Sequence, residues 1–144
     1  MQQNTTLLVT SLVSIFLVLL HVSDDVVRGI EPGGLKHLQT ILTLGVWLFG
    51  TLGLRGRRSG YVVMLVGALL GSAVSIAHMR GAGMVAGRIA NTDGMLLWVA
   101  TQLVLGVTAS VTVALAVQAL WHQHRATVQA LWRQHRATME SRAR

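Results

Sequence analysis

The sequence predicts an all-α integral membrane protein: an antiparallel bundle of four transmembrane helices with a long C-terminal helical extension. Three observations predict it. Apolar residues make up 52 % of the 144 positions and charged residues only 12 %, against roughly 25 % charged in a soluble domain. The charges fall between four long apolar stretches. A basic eleven-residue repeat with helical periodicity then follows the fourth stretch. A soluble fold of this size must cover itself with polar groups, and too few are present, so the chain reads as one membrane domain.

The first stretch covers about residues 6–22. No positive residue precedes its apolar core and no small-x-small cleavage site follows Leu20, so it reads as a retained span and not a signal peptide. The second covers about 38–54, the third about 61–79 and the fourth about 95–120. Each approaches the ~20 residues that cross a ~30 Å hydrocarbon layer at 1.5 Å per residue. Hydrocarbon offers no partners to backbone N–H and C=O groups, and a helix satisfies them within itself. Domain 1–120 is therefore the four-span bundle, and 121–144 a basic amphipathic helix outside it.

The connections differ in kind. Arg55 to Gly60 is a short turn, which sets the second and third spans side by side and antiparallel. Glu31-Pro32-Gly33-Gly34 stops a helix in the first long connection. Asn91, Thr92 or Asp93 supplies a cap for the fourth span in the other.

Orientation follows from the basic residues. Arg55, Arg57, Arg58, Arg125, Arg133, Arg136, Arg142 and Arg144 lie on one side, with Glu140 as the one acid there. Arg28, Lys36, Arg80 and Arg88 lie on the other, offset by Asp24, Asp25, Glu31 and Asp93. The positive-inside rule makes the first side cytoplasmic, with both termini inside and the inner membrane of a bacterium as the expected location. The net charge of +7 thus reflects topology and points to no nucleic-acid partner. A C-terminal reporter is expected to remain cytoplasmic and a tag after Gly33 to be external. A C-terminus open to protease in intact cells would contradict this.

Small residues mark the expected packing faces. Gly67, Gly71 and Ser75 recur every four residues on the third span, and Gly106 and Ser110 on the fourth. Such residues let helices approach closely where lipid supplies no hydrophobic driving force. The face serves either packing within the bundle or contact with another subunit. Trp98 and Trp121, about 35 Å apart along a helix, bracket the bilayer at headgroup depth, whereas Trp47 sits mid-span as a packing residue.

Residues 117–127 read VQALWHQHRAT and 128–138 read VQALWRQHRAT, ten of eleven positions being identical. Eleven residues make three turns at 3.67 per turn, so repeated side chains stay on one face. Leu120, Trp121, Leu131 and Trp132 form an apolar contact stripe, with His124 and His135 on the same face. Arg125, Arg133 and Arg136 lie off it, placed to meet lipid headgroups. The stripe meets the leaflet, another protein or a second copy, or extends unpartnered.

The strongest candidate site is a polar cluster at the outer end. His21 lies three and four residues before Asp24 and Asp25, hence on one helical face. His37 opens the second span and His78 closes the third. Imidazole and carboxylate are ligands for a transition metal, and two histidines for haem. The competing reading is structural: capping, ion pairing and depth anchoring near the span ends. A chain with no cysteine excludes thiolate chemistry. No GxSxG, HExxH, P-loop or dinucleotide fingerprint occurs, so enzyme activity is not indicated. The leading expectation is a small non-catalytic accessory or structural subunit of a membrane complex, or a self-associating membrane scaffold, with lipid, other membrane subunits or itself as partners. A metal- or haem-binding membrane protein is the main alternative. A transporter or channel component is a further one, weakened by the lack of midplane charges.

Overall fold

The computed structural model describes residues 2–27, 34, 38–81 and 95–142, without the side chains at 2–3, 78–81 and 95–96. Four helices result: α1 (Gln2–Val27), α2 (Leu38–Leu52), α3 (Arg58–Gly81) and α4 (Met95–Arg142). Three of them are long and apolar enough to cross a membrane, over Asn4–Val27, Arg58–Ala77 and Leu97–Arg142. The fourth apolar helix, α2, has 15 residues, about 22 Å of helix. The span expected over 38–54 ends at Leu52 because the chain turns there. The Gly53 and Leu54 amides both donate to Phe49 O, at 2.7 and 3.2 Å. Gly56 then takes φ of 76°, a left-handed conformation that a side chain resists. The capping proposed at Asn91, Thr92 or Asp93, and the stop at Pro32, lie outside the described residues.

The helices run up and down in turn. Near the start of α1, Tyr61 Oη donates to Asn4 Oδ1 at 3.3 Å, so α1 and α3 begin at the same end. The α2–α3 turn and the exit of the α4 tail lie at that end too, where Gln123 Nε2 donates to Gly56 O at 3.2 Å. Further polar links cross between the helices. Trp47 Nε1 donates to Ser11 Oγ at 3.0 Å, and Ser11 shares a hydrogen bond of 2.8 Å with Thr51. The mid-span tryptophan expected to be packing is buried and fully engaged, as an indole N–H in hydrocarbon must be.

Two apolar clusters fill the bundle. Ile15, Val18, Trp47, Ala68, Leu105 and Ala109 make one. Leu7, Tyr61, Met64, Ala116 and Ala119 make the other, toward the tail end. Close approach is carried by small residues, as expected, though not always by those picked out. A Cβ on Gly67 would strike the Trp47 indole, one on Gly50 would strike Val63, and one on Gly60 would strike the Leu54 carbonyl. Ser75 is buried and meets Gly106 across the α3–α4 contact.

Ser110 does not share this packing within the bundle. It is exposed, because the buried face of α4 runs through Trp98, Gln102, Leu105, Ala109, Thr112, Ala116 and Ala119. That stripe alternates spacings of three and four, and its neighbour one residue on is turned by about 100°. Alanine and threonine bring α4 against α1 and α3, with Gly106 but not Ser110 joining them at Ser75. The fourth helix then continues unbroken to Arg142, giving about 72 Å of helix over its 48 residues.

Candidate functional site

At the end of the bundle opposite the tail, three helices meet through one hydrogen-bonded chain of side chains. Asp25 and His21 stand one turn apart on α1, with His21 Nε2 3.2 Å from Asp25 Oδ2. Trp98 on α4 donates from Nε1 to Asp25 Oδ1 at 2.8 Å. One turn deeper on α4, Gln102 Nε2 lies 3.0 Å from His21 Nδ1 and 2.7 Å from its Nε2. On α3, Ser75 Oγ donates to Gln102 Oε1 at 3.2 Å. With His21 Nε2–H donating to the carboxylate, Nδ1 is the ring nitrogen left to accept from the amide. The Trp98 and His21 rings also touch, with centroids 5.3 Å apart at 58°.

Helical spacing explains why these residues coincide. His21 and Asp25 share a face through i,i+4 geometry, and so do Trp98 and Gln102. Antiparallel packing of α1 on α4 opposes the two pairs turn for turn. Burial is deep: His21 is 3 % exposed, Asp25 5 %, Trp98 5 %, Gln102 1 % and Ser75 2 %. A buried carboxylate and imidazole persist only when their polar atoms find partners, and here both carboxylate oxygens and both ring nitrogens are engaged.

The site chemistry follows from that engagement. A depression of about 40 Å³ beside His21, Asp24 and Trp98 has room for about one water molecule, whose share of the liquid is roughly 30 Å³. Of the five residues grouped for a metal or haem, the structure brings His21 and Asp25 together. Asp24 is half-buried one position round the helix. His37 lies outside the described residues, and His78 is described by its α3 backbone alone. Among the described residues, no three His, Cys, Asp or Glu side chains gather to hold a metal ion.

Sequence reasoning missed two members of this cluster. The sequence marks Trp98 as a depth anchor, and the indole also clamps Asp25. Gln102 was not singled out, although a glutamine inside an apolar span one turn from that tryptophan is a signal in itself, since hydrocarbon leaves its amide four bonds to place.

The tail presents the other candidate surface. Trp121, Leu131, Trp132 and Met139 are each more than half exposed, and Leu120 is half-buried against the tail-end cluster. Arg125 lies over the Trp121 ring, 5.1 Å from its centroid, a cation–π contact along one helical turn. Arg133 and Arg136 are exposed. In comparisons with known proteins, no family model, no curated protein and no solved structure matches the chain.

Proposed function

We propose that this chain is a small, non-catalytic accessory or structural subunit of a membrane protein complex, assembling through the uncovered side of α4. The observation that carries the reading is the tail: a helix that leaves the bundle with two tryptophans and a leucine, each more than half exposed. At roughly 25 cal/mol per Å² and ~150–250 Å² per aromatic side chain, covering that stripe is worth several kcal/mol of gross driving force. The outer cluster supports a structural role at that end, because its polar atoms hold one another. Its role in this reading is to lock α1, α3 and α4 together at the end remote from the tail. The protein sits in a bacterial inner membrane with both termini cytoplasmic, and the tail arginines face the anionic headgroup layer where they emerge.

Native purification in mild detergent tests this, with a truncation ending at Gln123 and a full-length Trp132→Glu variant beside the wild type. The truncation keeps Ala119 in the core and Gln123 at Gly56, so the bundle is expected to fold. Wild type is expected to carry further polypeptide, itself or another subunit, in stoichiometric amount, and both variants to lose it. Unchanged assembly in both variants would overturn the reading, as would wild-type protein carrying about one equivalent of metal or a haem absorption band.

A further inference from the structure

We infer that what covers the open side of α4 is a second copy of the chain, its α4 packed parallel and in register about a two-fold axis along the helices. This rests on the reading of α4 as an assembly surface and names the partner.

The face is longer than the tail. Stepping back eleven residues from Val117 and Trp121 arrives at Gly106 and Ser110, where Gly106 is half-buried and Ser110 exposed. One strip of helix surface therefore runs from inside the bilayer, past Val117, to Trp121, Val128, Leu131, Trp132 and Met139. Lipid tails cover its first part but not its last. With no Pro or Gly after Gly106 and an unbroken helix to Arg142, the tail continues the direction of the span about 33 Å past Trp121. A leaflet covers an amphipathic helix that lies in its plane, not one that climbs out of it. A helix running alongside covers both parts, and a second copy has the required length, depth and period.

Three features match a parallel pair. An eleven-residue period of 3.67 per turn keeps a seam straight or gently right-handed between neighbouring helices. Around that seam the charges are one-sided: Arg125 and Arg136 border one edge, while Thr127 and Thr138 border the other. Two-fold parallel packing sets each arginine edge against the partner's threonine edge, whereas antiparallel packing would oppose arginine to arginine. His122 and Arg133 point away from the seam. His124 and His135 stand at its centre, and a polar residue repeated at a seam position favours in-register pairing, as buried asparagine does in coiled coils. The apolar surface still open on the stripe, summed over two copies, is on the order of 1,000 Å², near the size that a specific interface needs.

A chain without cysteine makes the test clean. Single variants Val117→Cys, Val128→Cys and His135→Cys place thiols along the seam, and Ala126→Cys and Ala137→Cys place them on the opposite face. After oxidation of full-length protein in native membranes, disulfide-linked dimers are expected at the three seam positions and absent at the other two. Equal cross-linking at all five, or none at the seam, would overturn the inference. Seam thiols shielded from a water-soluble maleimide without cross-linking would assign the face to lipid and likewise overturn it. No seam dimer beside a different co-purifying subunit, lost on truncation at Gln123, would remove the second copy yet leave the accessory-subunit reading standing.

Discussion

Asp25→Ala is expected to be the most destabilising single substitution in the bundle. The carboxylate accepts from Trp98 Nε1 at 2.8 Å and pairs with His21 Nε2 at 3.2 Å. All three side chains are at least nine-tenths buried. Alanine would leave an indole N–H and an imidazole N–H without an acceptor, in surroundings that offer little water. Each stranded donor costs about 1–3 kcal/mol, and removal of one partner from a buried pair about 3–5 kcal/mol. A loss of about 3–5 kcal/mol is the expected outcome, read as a clear drop in thermal unfolding temperature in detergent. Asp25→Asn keeps one carbonyl acceptor for Trp98 and is expected to fall between alanine and wild type. Wild-type melting of Asp25→Ala would show that the cluster does not hold α1 to α4, and its burial would then need another explanation.

The second large effect is expected at Gly67. A Cβ there would lie under 3 Å from several carbons of the Trp47 indole, whereas at Gly71 it would meet Trp47 and Ala109 at 3.4 and 3.6 Å, ordinary contact distances. At Gly45 a Cβ meets nothing within 4 Å. Gly67→Ala therefore forces the indole to shift and strains its hydrogen bond to Ser11, the contact that ties α2 to α1. Overpacking of this kind costs about 1–3 kcal/mol. Gly71→Ala and Gly45→Ala are expected to stay within about 0.5 kcal/mol of wild type, as substitutions away from tight contacts do. Thermal unfolding of the three variants side by side gives the ranking. Gly71→Ala melting below Gly67→Ala would contradict the packing of α2 on α3.

Much of this architecture is legible in the sequence because hydrocarbon reduces the choices. Apolar length, arginine placement and the Gly-containing turn at 55–60 suffice for four helices running up and down, and the uninterrupted repeat suffices for a helix that outruns the bundle. The use of small residues at close approaches is legible in kind. What escapes is rotation. Gly106 and Ser110 differ from Leu105 and Ala109 by one residue each, about 100° on the helix, and nothing local to α4 decides which pair faces inward. That choice depends on α1 and α3, where Ser75, Ser14 and Ala68 accept the Gln102–Ala109 side. The outer cluster was half legible for the same reason. The i,i+4 spacing brings His21 to Asp25 within one helix, but Trp98 and Gln102 join them only through antiparallel register between helices 73 to 81 residues apart in sequence.

The tail differs from the bundle in that its chemistry is visible in the sequence while nothing in the chain's own fold covers it among the described residues. Of the expected stripe, Trp121, Leu131 and Trp132 are more than half exposed, whereas Leu120 packs against the tail-end cluster of the bundle. Covalent duplication of VQALWHQHRAT lengthens that stripe without altering the bundle, which is the expected result if the stripe is a contact surface.

The most direct test of the account is the protein mass of the wild-type particle in mild detergent, measured by light scattering with the detergent contribution subtracted. Assembly through α4 predicts a protein mass above the 15.5 kDa of one chain, twice that for a second copy, falling to a single chain for the truncation ending at Gln123. A wild-type particle holding one chain and no other polypeptide would contradict it.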